Sequence, residues 1–354
     1  MSTDLLFYLL VFLVTSAIIV GAGVMLAKSG DRIADVTGLG GLLIGMVLVA
    51  AATSLPEIAV AVSAVVVENS PDLAIGNLFG SNMANMALLA MIDLAWRGQV
   101  WHRVGAGHAR TASVAIALTA VATLAVLRPF ELAIGWVGIE SVVIFVGFIS
   151  LIAWTRRSST PVVPIGDVSH RVTSAEEAPA PTTGDAAHPD GRMAILRSIR
   201  RDLVTFGAAA LVILAAAPFL VDAADGIARE AQLGESFVGA SFLAFSTSLP
   251  ELATAAAAVR IGAFDLAVGS LLGSNAFNMA IIVIVDLFYL EGPILADVHA
   301  IEAFVGVSAV LLMAIVVAGI IHGGRTRVAK LEPGSGMTLV TYFILMYMIF
   351  TAGA

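Results

Sequence analysis

The sequence predicts an all-α polytopic membrane protein, with ten transmembrane helices arranged as two inverted five-helix repeats. Three observations lead there: long uncharged apolar runs, a pair of motifs that recurs 193 or 194 residues later, and a one-sided distribution of Lys and Arg. The 354 residues are 59% hydrophobic and 12% charged, with a mean hydropathy of +0.98. Soluble domains carry about 25% charge, whereas a helix crosses a bilayer with about 20 apolar residues. The runs are continuous rather than alternating, which argues against a β-barrel. A net charge of −8 without a basic stripe excludes a nucleic-acid binder. Cysteine is absent, so disulfide and thiolate–metal chemistry are excluded. Asp4 stands where a secretory leader would be basic, so the first run is expected to be a retained membrane helix.

The expected spans are 5–27, 39–67, 72–95, 110–127, 133–154, 202–222, 236–260, 264–290, 299–321 and 336–352. Residues 156–200, with SSTPVVP, EEAPAPTTGD and AAHPDG, cannot bury a core and read as a flexible linker. The chain thus divides into 1–155, the linker 156–200, and 201–354. Of the 18 Lys and Arg residues, 16 lie in the segments that follow odd-numbered spans or, as Arg110 and Arg260 do, at the span end bordering one; Arg128 and Arg229 are the two exceptions. The positive-inside rule then places the linker in the cytoplasm and both termini outside, in a plasma-membrane protein. Trp96, Trp101, Trp136 and Trp154 lie at or near span ends, as an aromatic belt would.

The repeat carries the chemistry. Residues 50–57 read AAATSLPE and 244–251 read AFSTSLPE; 76–86 read GNLFGSNMANM and 269–279 read GSLLGSNAFNM. Each copy covers five expected spans. An odd number of crossings sends the second copy through the membrane the other way, and carriers built so place their substrate at the midplane, where interrupted helices meet. Pro56 and Pro250 interrupt apolar helices and free the carbonyls of Ala52 and Ser246. Thr53 and Glu57 are four apart and share a helix face, as do Thr247 and Glu251. Asn77, Ser81 and Asn85 recur every four residues on the next span, with Ser270, Ser274 and Asn278 as their counterparts. Carboxylate, hydroxyl and carbonyl oxygens are the ligands a hard cation takes. A lone intramembrane Glu can serve as a helix–helix hydrogen-bonder; two in matched, proline-broken motifs point to transport.

Those motifs, TSLPE twice and GNxxGSNxxN with its variant, resemble the two signature repeats of the sodium/calcium exchanger family, within the cation/calcium antiporter superfamily. The resemblance covers nearly the whole chain except the linker. It implies an antiporter exchanging Ca²⁺ or a related divalent cation for Na⁺ by alternating access, with spans one and six sliding over a fixed core. It further implies Glu57 and Glu251 as central ligands of the divalent ion, with Thr53 and Thr247 adding hydroxyl or carbonyl oxygens. Ser54, Ser248, Ser81 and Ser274, with the carbonyls of Ala50 and Ala244, would form flanking sodium sites. Asn85 and Asn278 would fill the remaining central positions.

Two departures bear on the coupling ion. Asn278 stands where such exchangers often carry Asp, and Ser270 where Asn is usual. Two glutamates balance one Ca²⁺ or two protons, so H⁺-coupled exchange is the alternative. No resident cofactor is expected. The partners are the transported cations and the lipid bilayer, with no nucleic acid and no obligatory protein partner. H-E-x-x-H and G-x-S-x-G are absent, so an enzyme is not expected.

Asp72 matches Asp265, and Asp93 matches Asp286. The first pair suits helix N-termini. The second lies about 12 Å past Asn85 and Asn278 along a helix, where it could line an access path or cap at the interface. Glu140 and Glu302 have no counterpart and receive no role. The six His residues lie in loops, linker or span ends and suggest no metal cluster.

Overall fold

The computed structural model describes residues 3–37, 53–96, 100–104, 107–130, 132–157, 189–322 and 333–353. The fold is mostly helical. Its elements in the first half are α1 (Thr3–Thr37), α2 (Leu55–Val67), α3 (Pro71–Ala95), the short α4 (Val100–Arg103), α5 (Gly107–Leu127) and α6 (Ile139–Arg157). The second half holds α7 (Pro189–Ala231), α8 (Glu235–Val238), a π-helical turn (Gly239–Leu243), α9 (Ala244–Thr247), α10 (Leu249–Arg260), α11 (Phe264–Phe288), the short α12 (Ile294–Asp297), α13 (Ile301–His322) and α14 (Pro333–Gly353).

Seven of these, α1, α3, α5, α7, α11, α13 and α14, are long and apolar enough to cross a membrane. Counting the run from Glu235 to Arg260 as one bent span makes eight. α2 and the first part of α6 are apolar but shorter. The expected span 39–67 is described only from Thr53, and its earlier part lies outside the described residues.

Two expectations are corrected. The span placed at 133–154 starts later. Ala133–Ile134 pairs antiparallel with Val137–Gly138 in a small hairpin, turned by Gly135 at φ +69, and the helix begins at Ile139. The linker placed at 156–200 is helical from Pro189, with α7 running 43 residues without a break. Proline is tolerated at a first helical position, and the stretch from Met193 to Phe206 holds no glycine or proline to stop the helix.

The helices form a graded bundle. In α3, 83% of the most apolar window is buried and in α11 67%, against 39% in α1, 33% in α7 and 28% in α14. α3 and α11 therefore form the centre. α1, α7 and α14 turn side chains such as Leu10, Leu13, Leu211, Phe219 and Phe343 outward, to where lipid would lie. α1 packs along α7, closely enough that a β-carbon on Gly226 would fall 2.4 Å from the Tyr8 ring. α3 begins with Ser70 accepting the Leu73 N–H at 3.2 Å and Pro71 in the first turn. Its Gly80 lets the π-helical turn approach: a β-carbon there would lie 2.4 Å from Ala240 Cα.

Candidate cation site

The two proline motifs produce the same local break. α2 opens after Ser54 and α10 after Ser248, each with a proline in its first two positions. In the second half the chain bends by 44° between Thr247 and Leu249. A proline two residues into the new helix cannot donate to the preceding turn, which is why the run stops at Thr247 and restarts. Each break puts a Ser at the joint and a Glu in the first turn beyond it, at a helix N-terminus deep in the bundle.

Every described candidate is buried. Thr53, Ser54, Glu57, Ser81, Asn85, Thr247, Ser248, Glu251, Ser274 and Asn278 are each at most 4% exposed, and Ala244 is fully buried. Ala50 lies outside the described residues. The Thr247 hydroxyl joins the motifs: it lies 3.3 Å from Asn77 Oδ1, 3.3 Å from the Ala244 carbonyl and 3.4 Å from Ser81 Oγ. It also bonds the Glu57 carboxyl, on which Glu251 acts electrostatically. Ser16 on α1 reaches Ser246 at 3.1 Å, tying that outer helix to the broken span.

The asparagines of α3 and α11 form a lattice across the two helices. Asn85 Nδ2 donates to Asn275 Oδ1 at 2.9 Å, and Asn278 Nδ2 donates to Asn82 Oδ1 at 3.1 Å. Asn275 Nδ2 donates to the Asn82 carbonyl at 3.3 Å, and Asn82 Nδ2 points to Thr119 Oγ1 at 3.4 Å. Asn82 and Asn275 were not among the sequence-derived candidates. Their signal was present in the repeated GSN triplet, whose Asn lies one residue past the Ser81 and Ser274 face. By donating to the Oδ1 atoms of Asn275 and Asn82, Asn85 and Asn278 leave their own side-chain carbonyl oxygens unbonded.

Within the two repeated motifs, the buried side-chain oxygens left without a hydrogen-bond partner are paired across the repeat: Ser54 and Ser248 Oγ, Glu57 Oε2 with both oxygens of Glu251, and Asn85 and Asn278 Oδ1. A buried polar atom left unbonded costs about 1–3 kcal/mol, and more when charged. A cluster of acceptors so placed fits a cation as cargo. Among the described residues no three His, Cys, Asp or Glu side chains converge to hold a metal. A cation here would be held by two carboxylates and otherwise by neutral oxygens, which suits release as much as capture.

The outer aspartates are ties. Asp93 accepts the Val100 N–H at 2.9 Å and the Ser335 hydroxyl at 2.5 Å. Asp286 accepts the Ile294 N–H at 2.8 Å and the Gly138 N–H at 2.9 Å, with Ser141 also bonding it. Both are fully buried and fasten the segments that follow α3 and α11. Asp72 and Asp265 sit in first turns, as expected, and each also meets a histidine. Asp72 bonds both the backbone N–H and the ring of His299, and holds that imidazole above its ordinary range. Asp265 lies 3.0 Å from His108 Nε2.

Multiple membrane-crossing helices around a buried, doubled oxygen site define a multi-pass membrane transporter. The model of the sodium/calcium exchanger protein family matches residues 7–155 and 202–352, and the chain belongs to that family of cation antiporters, which are transporters and not enzymes. It is 29% identical over 282 residues to inner membrane protein YrbG of Escherichia coli (strain K12), covering 76% of this chain and 78% of that one. The fold is shared with a solved H⁺/Ca²⁺ exchanger, CAX, at a TM-score of 0.70 and 15% identity, covering 98% of this chain and 85% of that one. It is also shared with the sodium-calcium exchanger NCX_Mj, at a TM-score of 0.55 and 20% identity over 98% and 99% of the two chains.

Proposed function

We propose that the protein exchanges Ca²⁺, or a related divalent cation, for Na⁺ by alternating access at a site between the two broken helices. The observation that carries this reading is the matched set of unpartnered oxygens on Ser54, Glu57 and Asn85 and on Ser248, Glu251 and Asn278. In this reading Glu57 and Glu251 neutralise and hold the divalent ion. Thr53 and Thr247 supply further oxygens, and Asn85 and Asn278 complete the central shell. Ser54, Ser81, Ser248 and Ser274, with the carbonyls of Ala50 and Ala244, take sodium. α1 and α7, which pack on each other at the periphery of the bundle, slide over the core of α3 and α11.

The architecture proposed is ten spans in two inverted five-helix repeats. Both termini lie outside the plasma membrane and the linker lies in the cytoplasm. Equivalent contacts in the two halves support the repeat: Asp93 with Val100 and Ser335 on one side, Asp286 with Ile294 and Ser141 on the other. The reading needs no cofactor and no protein partner.

Proton coupling is the second reading. Asn278 contributes an amide, so the site holds two carboxylates, which two protons could neutralise as well as one Ca²⁺. Uptake of radioactive Ca²⁺ into proteoliposomes, driven by an outward sodium gradient or an outward proton gradient, separates the two. Sodium-driven uptake that is lost in Glu57→Gln is the expected result. Proton-driven uptake without sodium dependence would replace the coupling ion, and no gradient-driven uptake would overturn the reading.

A further inference from the structure

Glu302, in the first turn of α13, is fully buried, and neither of its carboxylate oxygens has a hydrogen-bond partner of regular geometry. It fills a niche made by a glycine: a β-carbon on Gly76 would lie 3.1 Å from Glu302 Oε1, 3.3 Å from the Ser236 carbonyl and 3.4 Å from Ala240 N. The polar groups that act on it are the Ser236 hydroxyl of α8 and the Asp72 carboxylate of α3. Asp72 is engaged by His299, whose side chain is 81% exposed. Glu235 of α8 bears in turn on His299 and bonds Ser70. α5 and α14, which also pack on α13, bring no charged group among the described residues to bear on Glu302.

The other half has the same niche with a different tenant. Gly269 matches Gly76, and a β-carbon there would lie 3.0 Å from the His108 ring. His108 is the residue 194 positions before Glu302, and it meets Asp265, the match of Asp72. Each half thus places a titratable side chain against the glycine that opens its second motif, beside an aspartate in the first turn of the same helix. That glycine is one residue from Asn77 in the first half, whose Oδ1 faces Thr247 in the candidate site.

We propose that Glu302 is a proton-binding site of this transporter, loaded from the face where His299 is exposed and distinct from the glutamates that take the cation. Hydronium gives its proton to a Glu302 oxygen and leaves as water. The carboxylate becomes a neutral acid, and the niche between α3, α8 and α13 loses one negative charge next to Asp72. A metal ion is the poorer ligand: Asp72 is occupied by His299, and among the described residues no third carboxylate joins the two. A proton needs only one carboxylate. The niche wall, Ser236 to Ala240, runs directly into Ala244–Thr247, so a proton bound there bears on the segment that carries the second motif.

The role of this proton in transport rests on the carrier reading above, but its binding does not, and the test separates them. Infrared difference spectra between acidic and alkaline buffer would be recorded on the purified Glu57→Gln/Glu251→Gln protein, in which the candidate cation site can no longer titrate. The expected result is a carboxylic-acid C=O band that is lost on adding Glu302→Gln and kept, at a shifted frequency, with Glu302→Asp. Ser236→Ala leaves the acid in place and is expected to move the band. A difference spectrum unchanged by Glu302→Gln, or a band indifferent to both Glu302→Asp and Ser236→Ala, overturns the proposal whatever the protein transports.

Discussion

The two halves of this protein differ less at the centre than at the rim. At the centre each supplies a Ser at a helix break, a Glu in the following turn and an Asn carbonyl, all buried and all with oxygens unbonded. Toward the rim the matched positions part. Glu302 stands where the other half has His108, and Ser270 stands where it has Asn77. In the proposed reading, a single divalent ion between two near-equivalent half-sites needs the same oxygens from both, whereas nothing obliges the flanking positions to agree.

The comparison can be broken or sharpened by substitution. The largest effect is expected at Gly80. A side chain at Gly80 meets the backbone of Ala240, which cannot step aside as a flexible side chain would. Gly80→Val is expected to cost well over the roughly 1–3 kcal/mol of ordinary core overpacking and to abolish folded yield in size-exclusion chromatography. At Gly273, its match, a β-carbon meets no described residue within 4 Å, so Gly273→Val is expected to cost less. An equal loss would show that the two glycines are packed alike.

Next come the aspartate ties. In Asp286→Asn the new N–H₂ opposes a backbone N–H, which cannot turn round to accept. Asp93 likewise holds the Val100 N–H, so Asp93→Asn sets its new N–H₂ in competition with the same kind of donor. Each substitution should lose about 1–3 kcal/mol, read as a shift in thermal unfolding. A clearly smaller loss in one would show that the two ties are not equivalent.

Asn278→Asp introduces a difference in charge between the matched positions Asn85 and Asn278. A third carboxylate is expected to tighten divalent binding by about tenfold, roughly 1.4 kcal/mol, and to make exchange steeper in pH. Unchanged pH and sodium profiles would argue that position 278 lies away from the ion.

The smallest effect is at His299. Asp72 raises its pKa above an ordinary value of about 6.5, so the stabilisation is fully present below the ordinary value. It is lost as pH rises through the raised one. Because the imidazole is largely exposed, the loss should be at most about 1 kcal/mol. It should appear as a fall in thermal stability on the alkaline side that His299→Ala removes.

Much of this was legible in the residues. Apolar runs gave the helices, since in lipid every backbone group must be bonded within its own segment. The repeat picked out Glu57 and Glu251 because carboxylates at membrane depth are costly and these two recur in one context. Other features were not legible, for physical reasons. The hairpin at Ala133–Gly138 lies in a stretch apolar enough to pass for the start of a span. Asn82 and Asn275 lie off the every-fourth-residue face, and only their bonds across α3 and α11 reveal a lattice. Glu302 lacks a counterpart of the same type, so a search for repeated residues passes over it. It becomes visible once Gly76 and Gly269 are seen to hold the same niche.

The central claim is that one divalent cation is held equally by Glu57 and Glu251. Isothermal titration of purified protein with Ca²⁺ tests it, comparing wild type with Glu57→Gln and Glu251→Gln. One bound ion in wild type, and loss of binding to the same extent in both variants, is the predicted result. Binding that survives either substitution unchanged would contradict the claim.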